Sequence, residues 1–78
     1  MTFYTFMTRN YIKSDCPQGD LARDMRRNKE SFPRNRPCKF KGWHAIIHDY
    51  LTSHNACREC LEAFEISWKE YVQCVKNR

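Results

Sequence analysis

"WHAIIHDYLTSH", residues 43–54, is the stretch whose reading decides the fold. Trp43, Ile46, Ile47, Tyr50 and Leu51 fall at i, i+3, i+4, i+7 and i+8, which lines one side of an α-helix with apolar side chains. Gly42 just before it predicts a helix start there. A stripe that wide is stable only when other elements cover it, so the flanking sequence must supply helices or strands with matching faces.

It supplies helices. Towards the C-terminus, "ACRECLEAFEISWKEYVQCVKNR" (56–78) is helical by propensity throughout. Its apolar face shifts along the way: Cys57, Cys60, Leu61 and Phe64 make one face, and Trp68, Tyr71, Val72 and Val75 another. The spacing predicts two helices, or one bent near Glu65–Ser67. Towards the N-terminus, "TFYTFMTRNYIK" (2–13) reads as a helix. Phe3, Met7, Asn10 and Tyr11 share a stripe flanked by Tyr4 and Phe6, while Thr5, Arg9 and Lys13 face out. "SDCPQGD" (14–20) is turn chemistry. Asp15 with Gln18 resembles a capping box, Pro17 suits a first helical turn, and Asp20 is an alternative cap. In "DLARDMRRN" (20–28), Leu21, Ala22 and Met25 point one way and Arg23, Arg26 and Arg27 the other.

Two glycines and few β-branched residues argue against a sheet built on many turns. The expected class is all-α, a single domain over residues 1–78, because 78 residues leave no room for a second core. A chain this short buries little more than roughly 60% of its unfolded surface. Aromatic residues, at 14% of the chain, fill such a core economically. Trp43, Ile46, Ile47, Tyr50, Leu51, Phe64, Trp68 and Tyr71 are expected to provide most of it. No stretch approaches the ~20 apolar residues of a membrane span, and "MTFYTFMTRNYIK" lacks the basic start of a signal peptide. The expectation is a cytoplasmic chain whose five cysteines stay reduced.

The formal net charge of +5 is concentrated in the middle of the chain. Between residues 23 and 41 stand Arg23, Arg26, Arg27, Lys29, Arg34, Arg36, Lys39 and Lys41, against only Asp24 and Glu30. Residues 1–22 are balanced and residues 42–78 slightly acidic. Lysines and arginines that neutralise phosphates release condensed counterions and so gain affinity for nucleic acid. The three arginines of the second helix would grip a backbone, the loop "KESFPRNRPCKFKG" (29–42) would extend the track, and Phe40 would stack on an exposed base. Pro33 and Pro37 push Phe32 and Arg36 of that loop towards extended geometry. The bland alternative is a solvated loop. The competing functional one is an acidic protein partner met by the same surface.

His44 and His48 stand at i, i+4, the spacing of a helical metal site, but Ala45 occupies the place where a zincin needs glutamate. A boundary histidine packed on the core is the better reading of His44. "HNACREC" (54–60) offers His54, Cys57 and Cys60, yet no second pair completes a structural zinc set. Both thiols are expected on the apolar face of their helix, as small reduced core residues. No metal and no cofactor is therefore expected. A thioredoxin-like use lacks its βαβ setting. Glu59, Glu62 and Glu65 read as a solvated face. No nucleophilic or acid–base constellation is present, so neither an enzyme nor a small-molecule substrate is expected.

"FYTFM" followed by Tyr11, then "GDLARDM", "SFPR", "WHAIIHDYL" and "AFEISWKEY" together resemble the YozE family, small bacterial proteins with a SAM-like helical fold. The resemblance spans about residues 3–72. Phe3, Tyr4, Leu21, Ala22, Phe32, Pro33, His44, Tyr50, Leu51, Phe64, Trp68 and Tyr71 match the family pattern. What it implies is a bundle of four to five short helices without known catalytic activity, with DNA binding or protein interaction suspected. SAM-like domains also associate head to tail through unlike patches, which makes self-association an implied alternative. The longer, more basic connection between "FP" and "WH" and the five cysteines depart from the family.

Overall fold

Thr2 opens the first helix: its Oγ1 accepts the Thr5 N–H at 3.1 Å, which satisfies one of the orphan donors of the first turn. The computed structural model describes residues 1–36 and 38–77, so Pro37 and the effect expected of it lie outside the described residues. Four helices follow in order: α1 (Phe3–Asn10), α2 (Pro17–Arg27), α3 (Phe40–Ser53) and α4 (Arg58–Lys76). No strand occurs among the described residues. The all-α class and the small helical bundle are as the sequence predicts.

Several boundaries differ from expectation, each for a local reason. The Asp15–Gln18 capping box does not form, because α2 starts with Cys16 as cap and Pro17 as first helical residue. Asp20 lies inside that first turn and pairs with Arg23. Helix α3 begins two residues before Gly42, which is an exposed interior position. The chain enters it through Lys39 in the left-handed region (φ 51, ψ 50). Helix α4 is one 19-residue helix with no break at Glu65–Ser67. Ala63, Phe64, Ser67, Trp68 and Tyr71 form a single buried stripe, with Cys60, Leu61, Val72 and Val75 half-buried beside it. An apolar face that rotates along its length is what a central helix needs when neighbours press on it from several sides. Helix α4 does touch each of the other three.

Phe3 sits at the centre, fully buried, with its ring 5.1 Å from Trp68 and 5.6 Å from both Phe64 and Tyr71. Around it Phe6, Met7, Leu21, Ala22, Met25, Phe32, Ile47, Leu51 and Ala63 complete the core. Three residues expected there are not fully in it. Trp43 and Tyr50 are half-buried, and Ile46 is 48% exposed. Helix α3 makes its helix–helix contacts with α4 alone, so only the narrow line of Ile47 and Leu51 is fully covered. A paired substitution checks this. Ile47→Ala should cost about 2–4 kcal/mol in a urea melt, because the lost side chain leaves a cavity. Ile46→Ala should stay within ~0.5 kcal/mol of the parent, as surface changes do.

The basic loop is tied to the core by hydrogen bonds from one buried polar side chain. Asn35 is 1% exposed. Its Oδ1 accepts the Phe3 N–H at 2.8 Å, and its Nδ2 donates to Tyr71 Oη at 2.9 Å and to the Arg36 carbonyl at 3.1 Å. Tyr71 Oη in turn donates to the Met1 carbonyl at 2.7 Å. Phe32 reaches inward as well, with its ring 5.1 Å from Tyr50 and 6.2 Å from Tyr4.

Candidate polyanion interface

The anchoring of Phe32 and Asn35 divides the cations of residues 23–41 into two sets. Arg23, Arg27 and Arg34 are engaged with the protein. Arg23 donates to the carbonyls of Ile12 (3.2 Å) and Ser14 (3.0 Å) and pairs with Asp20, clamping the α1–α2 turn onto α2. Arg27 pairs with Asp24 one turn back. Arg34 donates to the Lys29 carbonyl at 3.2 Å and lays its guanidinium 4.1 Å above the Tyr4 ring. Such cation–π contacts contribute roughly 0.5–1 kcal/mol at exposed sites. Arg26, Lys29, Arg36, Lys39 and Lys41 are all exposed and form no ion pair among the described residues.

These groups do not make one continuous track. Arg23, Arg26 and Arg27 gather with Lys13 and Ile12 around an open groove of 780 Å³ between α2 and the end of the first turn. Arg27 and Lys29 border a second, smaller hollow with Glu30. Lys41 belongs elsewhere, on a 650 Å³ groove between α3 and α4 that it shares with Lys69 and Lys76. Phe40 borders that same groove but is half-buried, its ring edge-on to Tyr71 at 6.2 Å and 5.9 Å from Lys76 Nζ. Part of the face expected to stack on a base is therefore spent on the core.

Lys13, Lys69 and Lys76 were not among the expected site residues. Lys69 and Lys76 stand seven apart, which places them on one face of α4. That signal was present in the sequence, whereas the arrival of Lys13 beside the α2 arginines depends on how the turn folds back.

His44 and His48 behave as boundary residues. His44 is half-buried, 5.1 Å from the Phe64 ring and stacked on His48 at 6.0 Å. Its Nε2 hydrogen-bonds to the Glu65 carboxylate at 2.8 and 3.0 Å. Glu65 is thereby a partner of α3 rather than part of a solvated face. Glu62 pairs with Arg58 at 3.0 Å, and Glu59 is exposed. Tyr11 donates to Glu70, and that bond, with burial, pushes the phenol up to about 12.

The two cysteines of "CREC" differ from each other. Cys57 precedes α4 as its cap and is exposed, not packed on an apolar face; Cys60 is half-buried. All five cysteines are unbridged. Among the described residues, no group of three His, Cys, Asp or Glu side chains is arranged to hold a metal. No helix is long and apolar enough to cross a membrane, again among the described residues.

Comparison with known proteins agrees with this architecture. A family model described as the YozE SAM-like fold matches residues 2–73, which takes in all of α1, α2 and α3 and most of α4. No curated protein and no solved structure matches the chain. Four helices packed on a Phe3–Phe64–Trp68–Tyr71 centre, together with a match over nearly the whole length, place the chain in the YozE SAM-like fold family.

Proposed function

We propose that this chain is a non-catalytic, cytoplasmic binding module that contacts the phosphate backbone of nucleic acid through residues 23–41. The observation that carries the reading is the pattern of engagement within that segment. Arg23 and Arg34 hold backbone carbonyls and Arg27 is paired with Asp24, while Arg26, Lys29, Arg36, Lys39 and Lys41 stay exposed and without carboxylate partners among the described residues. Asn35 holds the loop that presents Arg36 and leads into Lys39, the cap of α3, while Lys41 stands in the first turn of that helix. Preordered cations lose less freedom on meeting phosphates than cations on a mobile loop would. Contacts of this kind fix position and carry no base preference by themselves.

The test is binding to random-sequence duplex and single-stranded DNA over a salt series. The parent protein is compared with a variant carrying Arg26→Ala, Lys29→Ala, Arg36→Ala and Lys41→Ala, all exposed positions. For duplex DNA the slope of log K against log salt should flatten by roughly three to four units if each side chain meets a phosphate. An unchanged slope, or no binding at low salt, removes the proposal. Docking of an acidic protein is the alternative use of the same side chains. Head-to-tail self-association would show as earlier elution in size-exclusion runs at rising protein concentration.

A further inference from the structure

A cavity more enclosed than the basic grooves lies away from them. It measures 440 Å³, within the range of small-molecule sites. Leu21, Met25, Phe32 and Leu51 form its apolar lining, and Cys57 and Cys60 both border it. The end of α3 explains why. Asn55 takes a left-handed conformation (φ 59), its N–H donates to the Thr52 carbonyl at 3.1 Å, and the Ala56 N–H donates to the Leu51 carbonyl at 3.0 Å. This closure reverses the chain and delivers Cys57 as the cap of α4 with an extended backbone (φ −73, ψ 166). Cys60 follows one turn along, on the same side of the helix.

We propose that Cys57 and Cys60 form a dithiol that is reversibly oxidised to an internal disulfide by exchange with a small-molecule disulfide admitted at this cavity. Four features support it. A Cys-X-X-Cys pair opening a helix has the spacing of reactive dithiols. Cys57 is exposed, and its side chain makes no capping hydrogen bond that attack would have to break. Cys60 is half-buried, and burial pushes its thiol up to about 11, with the nearby Cys57 sulfur and Asp24 adding to the effect. The two groups are thus unequal: one is reachable, the other held back as a protonated thiol. The remaining cysteines stand on separate segments, Cys16 before α2, Cys38 in the loop and Cys74 near the end of α4.

The exchange proceeds in two displacements. Cys57, as thiolate, attacks one sulfur of the small disulfide. That S–S bond breaks, a mixed disulfide forms on Cys57, and the released thiolate takes up a proton. Cys60 then gives its proton to solvent and attacks the Cys57 sulfur; the mixed-disulfide bond breaks, and the second small molecule leaves as a thiolate that takes up a proton. Two electrons pass from the pair to the small disulfide, and a dithiol reductant reverses the change. This chemistry is independent of the polyanion reading and needs none of its residues.

Oxidised glutathione is the probe. The full chain is incubated with it, quenched with N-ethylmaleimide and mapped by peptide mass spectrometry, with a urea-unfolded sample alongside. The folded parent should yield a Cys57–Cys60 crosslinked peptide without retained glutathione, restored to thiols by dithiothreitol. Cys60→Ser should trap glutathione on Cys57. Cys57→Ser should lose the adduct at residue 60, and both variants should keep the parent's far-UV circular dichroism. Selectivity should vanish in urea. The proposal is overturned if glutathione spreads as heavily over Cys16, Cys38 and Cys74 in the folded protein, or if the link that forms joins Cys38 to Cys74.

Discussion

Gly19→Ala is expected to unfold most of the protein at temperatures where the parent is stable. A Cβ added at Gly19 would lie 1.9 Å from the Ser14 carbonyl oxygen and 2.8 Å from its carbon, with the Tyr11 oxygen at 3.1 Å. All three are backbone atoms, so no side-chain rotation relieves the overlap. The turn also cannot retreat freely. Ser14 N–H donates to the Tyr11 carbonyl at 2.9 Å, and Arg23 holds the Ser14 carbonyl from the α2 side at 3.0 Å. Gly19 does not have a positive φ, so the requirement is for close approach and not for an unusual backbone. By propensity alone, alanine would stabilise a helix interior by about 1 kcal/mol over glycine.

The overlap should exceed that gain and leave a net loss of about 3 kcal/mol, at the upper end of what overpacking does. For a chain of this size that loss lowers Tm by roughly 12–24 °C. It also removes most of the ~3–5 kcal/mol that so small a core supplies. Gly42→Ala is the matched control. Nothing lies within 4 Å of its added Cβ, and it sits inside α3. It should stabilise by roughly 0.5–1 kcal/mol. Melts followed by far-UV circular dichroism read both. A Gly19→Ala melt within a few degrees of the parent would show that the α1–α2 turn does not sit this close to α2.

The second large effect is expected at Asn35. Asn35→Ala removes the acceptor of the Phe3 N–H, an early donor of α1 that no turn of its own helix satisfies, and the donor to Tyr71 Oη. A buried group left without its partner costs about 1–3 kcal/mol; the Phe3 N–H is orphaned outright and Tyr71 Oη, which keeps the Met1 carbonyl, loses one of two partners, so with the small void the loss should amount to about 2–3 kcal/mol. Asn35→Asp separates hydrogen bonding from volume. It keeps the acceptor for Phe3 but cannot donate while ionised, and it places a carboxylate in a nearly inaccessible site.

Burial raises such a carboxyl above its unfolded value near 4. The stability penalty should therefore be absent below that pH and grow as pH rises through it, the reverse of a salt-bridged aspartate. Urea melts at acidic and neutral pH decide the matter. Equal stability of Asn35→Asp and the parent at neutral pH would mean that the loop is not held by this side chain.

Both positions show where the sequence was legible and where it was not. The inward sets of α2 (Leu21, Ala22, Met25) and of α3 (Ile47, Leu51) follow from a 3.6-residue period, which any helix must express when one side is covered. The same period misplaced Ile46 and pointed to two helices or a bend near Glu65–Ser67 where α4 runs unbroken, because periodicity shows which residues share a face and not how many neighbours that face will meet. Asn35 and Gly19 carry no periodic signal. A polar residue in a basic loop and a glycine two places after a proline look like ordinary turn chemistry until the partners, Phe3, Tyr71 and Ser14, arrive from elsewhere in the chain. The candidate interface divides in the same way. The excess of cations was countable from the sequence, but their separation into engaged and exposed sets, and the arrival of Lys13 beside the α2 arginines, were not.

Local order and composition thus determined by themselves that this chain forms helices, which of their sides are apolar, and where positive charge accumulates, since each of these depends on residues a few places apart. The tertiary structure alone decided that Asn35 locks the basic loop to α1 and α4, that Arg23 closes the first turn, and that Cys57 and Cys60 border one cavity. Those outcomes require groups distant in sequence to meet, and the energy of such meetings depends on packing around them that no short window of sequence contains.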